Sequence, residues 1–213
     1  MKVEIWSDVV CPFCYIGKRR FEEALARFGG KEEVEIEWKS FQLNPQTVSN
    51  PNISSHQNLA NHKGISVEQA TDMANQVTEM ASNVGLSFDF DKAVVANTFN
   101  AHRLLHFSKA HGKQNELKER LLKAYFEKGE NIDDKASLIT IAEEVGLEKQ
   151  AVQDFLNSDE LAMEVKADIH EAQSLSIHGV PFFVFNRKYG ISGAQPVEAF
   201  LQTLEKARQH SPA

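Results

Sequence analysis

Cys11 and Cys14 are the only cysteines of this chain, and they stand two residues apart in Ser7-Asp8-Val9-Val10-Cys11-Pro12-Phe13-Cys14, close to the N-terminus. A C-x-x-C pair can supply half of a zinc site, close a small disulfide, cycle as a redox dithiol, or simply be two buried apolar side chains. Structural zinc takes about four ligands, and the sequence offers no second cysteine pair. His102 and His106 are spaced i, i+4, but position 103 is Arg and not the Glu of a helix-borne metalloprotease motif. His56, His62, His111, His170, His178 and His210 carry no spacing signal, so no metal site is expected. A phosphate-binding glycine loop and a G-x-S-x-G elbow are both missing.

The redox reading has a physical basis in what surrounds the motif. Pro12 suits the first turn of a helix, where no intrahelical N–H is needed. Free backbone N–H groups and the positive end of the helix dipole favour a thiolate there, and the thiolate is the attacking species. Cys11 at the helix mouth is therefore expected to be the accessible, more acidic nucleophile. Cys14, one turn in, is expected to be the shielded resolving thiol. Pro12 and Phe13 set the surroundings of the sulfur, and with them its acidity and reduction potential. Asp8, Glu35 and Glu37 are candidate proton carriers for Cys14.

The elements that must position this site are legible as changes of period. Residues 2–6, KVEIW, alternate as a strand, and Ile16, Arg20, Phe21, Leu25 and Phe28 follow at helical spacing until Gly29-Gly30. Residues 33–43 alternate again, giving a strand–helix–strand opening of the parallel crossover type. Residues 45–55 read as a loop. From 67 to 177 the pattern is helical almost throughout, with helices expected over 67–84, 91–110, 115–128, 136–145, 149–157 and 161–175. Residues 180–186, VPFFVFN, return to a strand composition, with a turn expected at 188–190, a second short strand at 191–193 and a last helix from Val197 to about Gln209. The two ends together are expected to form one four-stranded sheet covered by helices. The helical block is then an insertion, with boundaries expected at 1–60 plus 177–213 for the outer domain and 61–176 for the insertion.

The segment Gly179-Val180-Pro181-Phe182-Phe183-Val184 adds a second candidate to the site. A proline opening a strand belongs at its first position or at an edge. Pro181 is either an ordinary trans proline or a cis proline that turns the Val180 backbone toward Cys11, where a peptide could pair with it.

Composition removes other classes. With a formal net charge of -7, a nucleic-acid role has no electrostatic support, and Lys18-Arg19-Arg20 reads as a solvated helix face. The 42% hydrophobic and 25% charged residues are a globular balance able to fill a core. The first residues have no apolar run of the signal-peptide kind, and no stretch approaches the roughly 20 residues of a membrane span. A cytoplasmic protein without membrane contact is expected. In that compartment thiols stay reduced, and a cysteine pair is catalytic or metal-binding more often than structural.

The chain resembles the DsbA-like branch of the thioredoxin superfamily and, within it, the cytoplasmic FrnE-like oxidoreductases. The residues that carry the likeness run nearly its whole length: Ser7 to Cys14 with Ile16-Gly17, then Asn97-Thr98 and Ala101-His102-Arg103-Leu104, Tyr125-Phe126 with Gly129 to Ile132, Gly179 to Val184, and Ile191 to Pro196. The resemblance implies an α/β thioredoxin fold, a four-stranded mixed sheet flanked by helices, interrupted by a large all-helical insertion. It implies Cys11 as nucleophile, Cys14 as resolving thiol, and Val180-Pro181 as a cis-proline loop facing them. The implied activity is thiol–disulfide oxidation, reduction or isomerisation on client proteins. It needs no cofactor beyond the Cys11–Cys14 disulfide itself, and glutathione is a candidate redox partner. The same architecture is similar to kappa-class glutathione transferases and 2-hydroxychromene-2-carboxylate isomerases. Those place Ser at the first cysteine, so the presence of both Cys11 and Cys14 argues against that alternative. A third reading is a peptide-gripping module using Phe13, Phe182 and Phe183, although a packed core accounts better for the latter two.

Overall fold

The computed structural model describes residues 1–209, and His210 lies outside the described residues. In chain order the elements are β1 (Lys2–Ser7), α1 (Pro12–Arg27), β2 (Glu35–Ser40), β3 (Asn50–Ser54), α2 (Ser55–Lys63), α3 (Val67–Ser82), β4 (Val94–Val95), α4 (Phe99–Lys109), α5 (Gln114–Lys123), α6 (Lys135–Glu144), α7 (Lys149–Asn157), α8 (Ala162–Ser174), β5 (Phe182–Phe185), β6 (Tyr189–Ser192) and α9 (Val197–Gln209). A short 3-10 turn, Lys31–Glu33, precedes β2, and a π-helical turn, Ala124–Lys128, prolongs α5. The chain divides into two compact units, one of residues 1–43 with those from Lys166 onward, the other Asn44–Val165.

The first unit holds the expected four-stranded mixed sheet, in the order β2-β1-β5-β6. β1 runs parallel to β2, with Ile5 opposite Trp38, and antiparallel to β5, with Ile5 opposite Phe183. Alternation along β1 feeds both faces. Val3 and Ile5 join Trp38, Phe183, Phe185 and Ile191 against Phe21, Ala24, Leu25 and Phe28 of α1 and Phe200, Leu204 and Ala207 of α9. The Phe21 ring lies 5.5 Å from that of Phe183 and 5.8 Å from that of Phe200. Full burial of each such side chain contributes about 1.5–3 kcal/mol. On the opposite face Trp6 and Val184 pack with Ala172 of α8 and Ile177. The Trp6 indole N–H donates to the Asp168 carbonyl at 3.0 Å, and the Asp168 carboxylate accepts from the Ser40 N–H at 2.8 Å and pairs with Lys39 at 2.7 Å. Glu4, buried in β1 opposite Glu37 of β2, is paired with Arg187, which also pairs with Glu171 at 2.5 Å.

These contacts explain why the second boundary falls earlier than expected, at Lys166 and not at 177. From Asp168 on, α8 serves the sheet. The first boundary also moves, from 61 to 44, because Asn50–Ser54 is a strand and not a loop: β3 pairs antiparallel with β4. The insertion is thus not all-helical, and the helix expected over 91–110 begins only at Phe99. Asn97 organises that start. Its N–H donates to Ser49 Oγ at 2.8 Å, its side-chain amide donates to the Thr47 carbonyl at 2.8 Å, and its Oδ1 accepts the Phe99 N–H at 2.9 Å. Arg103 then donates to the Glu160 and Ser158 carbonyls at 2.9 and 2.6 Å, tying α4 to the segment after α7. Phe88 stacks on Phe126 at 4.6 Å. Gly129 closes the π-helical turn with φ +66°, and a Cβ there would lie 2.5 Å from the Lys92 carbonyl oxygen, so only glycine fits.

The hairpin of β5 and β6 also turns one step earlier than the sequence suggests. Asn186 and Arg187 both hold positive φ, 49° and 54°, and the Lys188 N–H donates to the Phe185 carbonyl at 2.9 Å. These are the φ signs of a type I′ turn, for which Asn-Arg is a weaker signal than Asn-Gly.

Candidate functional site

The dithiol stands where β1 ends and α1 begins, in the first unit. Asp8 follows the last residue of β1. Its carboxylate accepts the Val9 N–H on one oxygen and the Leu43 N–H on the other, both at 2.8 Å. It thereby joins the end of β1 to the segment that leaves β2. The Cys11 N–H donates to the Asp8 carbonyl at 3.4 Å, and Cys11 itself, in extended conformation (φ −91°, ψ 113°), is the N-cap of α1. Its side chain makes no capping bond, Pro12 takes the first helical position, and the Cys14 N–H donates to the Cys11 carbonyl at 3.0 Å. The two sulfurs are free thiols.

Both thiols are buried, Cys11 at 3% and Cys14 at 0% exposure. The expectation of an accessible Cys11 is therefore corrected. The part of the motif that meets solvent is Phe13, at 41%. The Cys11 sulfur faces the Val180 carbonyl oxygen and donates to it at 3.5 Å, and the Val180–Pro181 bond is cis. The structure thus brings Val180 and Pro181 against Cys11, from 169 residues away in sequence.

Electrostatics at Cys11 run opposite to the expectation of an acidic nucleophile. Its pKa is pushed well above the ordinary thiol range. The hydrogen bond with the Cys14 thiol is the largest cause, followed by burial and by the charge that Cys14 would carry. The Cys14 backbone N–H acts the other way, as a helix N-terminus should, and Asp8 adds a further push upward. Two thiols this close lose their protons as a pair, and the second proton is strongly retained. Of the three candidate proton carriers, Asp8 is the one with an electrostatic effect on Cys11. Glu37 is paired with Lys2 and lies 3.9 Å from Lys39, and Glu35 is exposed at the edge of the sheet.

Residues that sequence reasoning gave no role hold the second half of the site. Gly17, buried in α1, carries the Pro181 ring against its backbone. A Cβ at 17 would lie 3.0 Å from Pro181 Cγ and 3.5 Å from both Cα and Cβ of Ala194. The Pro181 carbonyl accepts the Gly193 N–H at 2.8 Å, and the Ala194 carbonyl accepts from the Arg20 guanidinium at 2.5 Å. The basic run is thus not a simple solvated face. Lys18 is 2% exposed and pairs with Glu22 at 2.5 Å, and Arg19 pairs with the same Glu22 at 2.9 Å. The i, i+4 spacing of Lys18 and Glu22 was the available signal for the first pair. Nothing local in sequence announces the bond from Arg20 to residue 194. Phe183 is core and Phe182 half-buried, leaving Phe13 as the exposed aromatic of the three named for peptide gripping. His102 is buried in α4, and among the described residues no three His, Cys, Asp or Glu side chains gather as a metal site. No helix among them is long and apolar enough to cross a membrane.

Comparison with known proteins places this geometry. The family model described as a DSBA-like thioredoxin domain matches residues 2–205. An uncharacterised protein of Bacillus subtilis, YwbO, is 31% identical over 187 residues, 85% of each chain. The crystal structure of a probable DsbA oxidoreductase from Streptomyces coelicolor superposes with a TM-score of 0.92 at 37% identity, over 100% of this chain and 92% of that one. The cytosolic disulfide reductase DsbM from Pseudomonas aeruginosa, solved with GSH, shares the fold at a TM-score of 0.69 and 15% identity, over 98% of this chain and 100% of that one. The match runs over nearly the whole chain, and the chain belongs to the DsbA-like thioredoxin-domain family.

Proposed function

We propose that the chain is a thiol–disulfide oxidoreductase that works on client proteins through Cys11 and Cys14, with Cys11 as nucleophile and Cys14 as resolving thiol, in the direction of disulfide reduction. The observation that carries this reading is the Cys11 thiol donating to the Val180 carbonyl at 3.5 Å, with Cys14 one turn behind it. Family membership supports the reaction class. In the reductive direction Cys11 gives up its proton and its thiolate attacks one sulfur of a client disulfide. The other client sulfur leaves as a thiolate and takes up a proton, and Cys11 is joined to the client. Cys14 then loses its proton and attacks the Cys11 sulfur. The Cys11–Cys14 disulfide forms, and the second client thiol is released. Two electrons and two protons pass to the client, and an external thiol returns the pair to the dithiol; glutathione is the candidate.

What supports the reductive direction is the form the site favours. Strong oxidants of this superfamily owe their potential to a stabilised thiolate in the reduced form. Here the Cys14 thiol, burial and Asp8 all push the Cys11 pKa up, a direction that belongs to the pair of thiols together and is in keeping with a weaker source of oxidising power. A cytosolic disulfide reductase of the same fold, solved with GSH, is in keeping with this direction and with glutathione as the reductant. The glutathione-transferase alternative gains no specific support, since a thiol occupies the position where that class places serine.

The test is trapping. Cys14→Ala should accumulate mixed disulfides between Cys11 and client proteins, Cys11→Ala should accumulate none, and insulin-disulfide reduction should be lost in both. Equal trapping by the two variants would overturn the division of roles. Sustained glutathione transfer to an electrophile that survives Cys14→Ala would favour the alternative.

A further inference from the structure

Around the proline loop, three contacts converge on one short stretch of backbone. The Pro181 ring rests on the bare backbone of Gly17, and the 3.0 Å that a Cβ would have to Pro181 Cγ is well inside a relaxed carbon–carbon separation of about 3.5–4.0 Å. The Pro181 carbonyl is held by the Gly193 N–H at 2.8 Å. The loop that carries Gly193, itself at φ +80°, is held in turn by Arg20, which donates to the Ala194 carbonyl. Gly17 and Arg20 stand three residues apart on α1, the helix that begins at the dithiol, so one rigid element carries both the sulfurs and the supports of the loop that faces them.

We propose that Gly17 and Arg20 are positioning residues that set the reactivity of Cys11 by clamping the Val180 carbonyl against its thiol. This rests on the reading of Cys11 as the nucleophile. A carbonyl that accepts the S–H hydrogen bond stabilises the neutral thiol, and its negative end opposes a thiolate at the same place. The closer the clamp holds the carbonyl, the smaller the thiolate fraction at neutral pH. Two other groups bear on the same proton, Cys14 on α1 and Asp8 at the end of β1. With Cys14 replaced, loosening the clamp leaves Asp8 in place, so the effect of the clamp is separable from theirs.

The experiment measures the pH dependence of Cys11 alkylation by iodoacetamide in a Cys14→Ala background, which leaves one sulfur to titrate. Gly17→Ala forces the Pro181 ring away from α1, and Arg20→Ala releases the 194 loop. Each should move the alkylation midpoint downward, by about one unit for the more effective of the two, a roughly tenfold gain in thiolate below the midpoint. Arg20→Lys, which can still donate to the Ala194 carbonyl, should keep the midpoint nearer the parent value. A merely structural role would lower thermal stability without ordering the midpoints in this way. Midpoints unchanged in both Gly17→Ala and Arg20→Ala, or shifted upward, would overturn the proposal, and a shift in Arg20→Lys equal to that in Arg20→Ala would remove Arg20 from it. Because alkylation needs no client and no Cys14, this outcome is independent of whether the unaltered protein reduces insulin, which tests the function itself.

Discussion

Cys11 shows how burial changes the chemistry that a motif suggests. From sequence, a cysteine at a helix mouth is an exposed, acidified thiol. In the fold the helix N-terminus is still there, but Cys14, burial and Asp8 outweigh it. The motif names the candidate reacting residues, while the balance of proton affinity depends on neighbours that only the fold assembles. A pH dependence follows. A group whose pKa is raised on folding stabilises the fold fully below its unfolded value and loses that contribution as pH climbs through the folded one. For Cys11 the loss starts near the ordinary thiol value of about 8.5, ahead of the lysines near about 10.4. Urea unfolding of the reduced protein between pH 8 and 10 (roughly the interval those values define) should show stability falling with pH, and Cys11→Ala should flatten the slope. The same slope in both proteins would assign it to another group. In alkylation, Cys14→Ala should lower the Cys11 midpoint further than Asp8→Asn does, since the Cys14 thiol is the larger cause and Asp8 the smaller one.

At the scale of elements, the sequence was most informative where one period ran long enough to be counted. The α1 stripe, the alternation in β1 and β2, and α7 and α9 are legible because each buries one consistent face. What escaped was short or weakly apolar. β4 has only two residues, too few for any period, and it broke what reads as one helix over 91–110. α2 buries only Ala60, yet it carried end signals: Ser54 Oγ accepts the Gln57 N–H, and Gly64 ends the helix with φ +66°. α8 was legible as a helix but not as the cover of the sheet, because Asp168 reads as an ordinary surface carboxylate. Its burial makes a prediction. Asp168→Ala would leave the Ser40 N–H without its acceptor and the Lys39 ammonium with Glu171 at 3.2 Å as its remaining close partner, at a cost of about 2 kcal/mol. Asp168→Asn keeps an acceptor for one of them and should cost less. Urea midpoints measure both, and a loss below about 1 kcal/mol for the alanine variant would mean that the bonds contribute little beyond what water supplies.

At the scale of the molecule, the sheet and its two faces of helices were readable from the order of periods at the chain ends, because a crossover needs its helix between parallel strands. The meeting of Cys11 with Val180 was not readable from spacing. It spans 169 residues and depends on β1 and β5 lying side by side, which the antiparallel register Ile5 opposite Phe183 establishes. A proline opening a strand left it as one of two readings, the resemblance to a family chose between them, and the fold gives the physical cause. The same meeting bears on the proposed direction, since a carbonyl that accepts from the thiol favours its neutral form.

The most direct test of that account is a redox titration of Cys11 and Cys14 in glutathione buffers, read by mass after alkylation. The account predicts one two-electron step between dithiol and Cys11–Cys14 disulfide, with a midpoint at or below about −250 mV, in the neighbourhood of thioredoxin at about −270 mV. A midpoint near the roughly −120 mV of a strong oxidant, or a pair that never closes to an intramolecular disulfide, would contradict it.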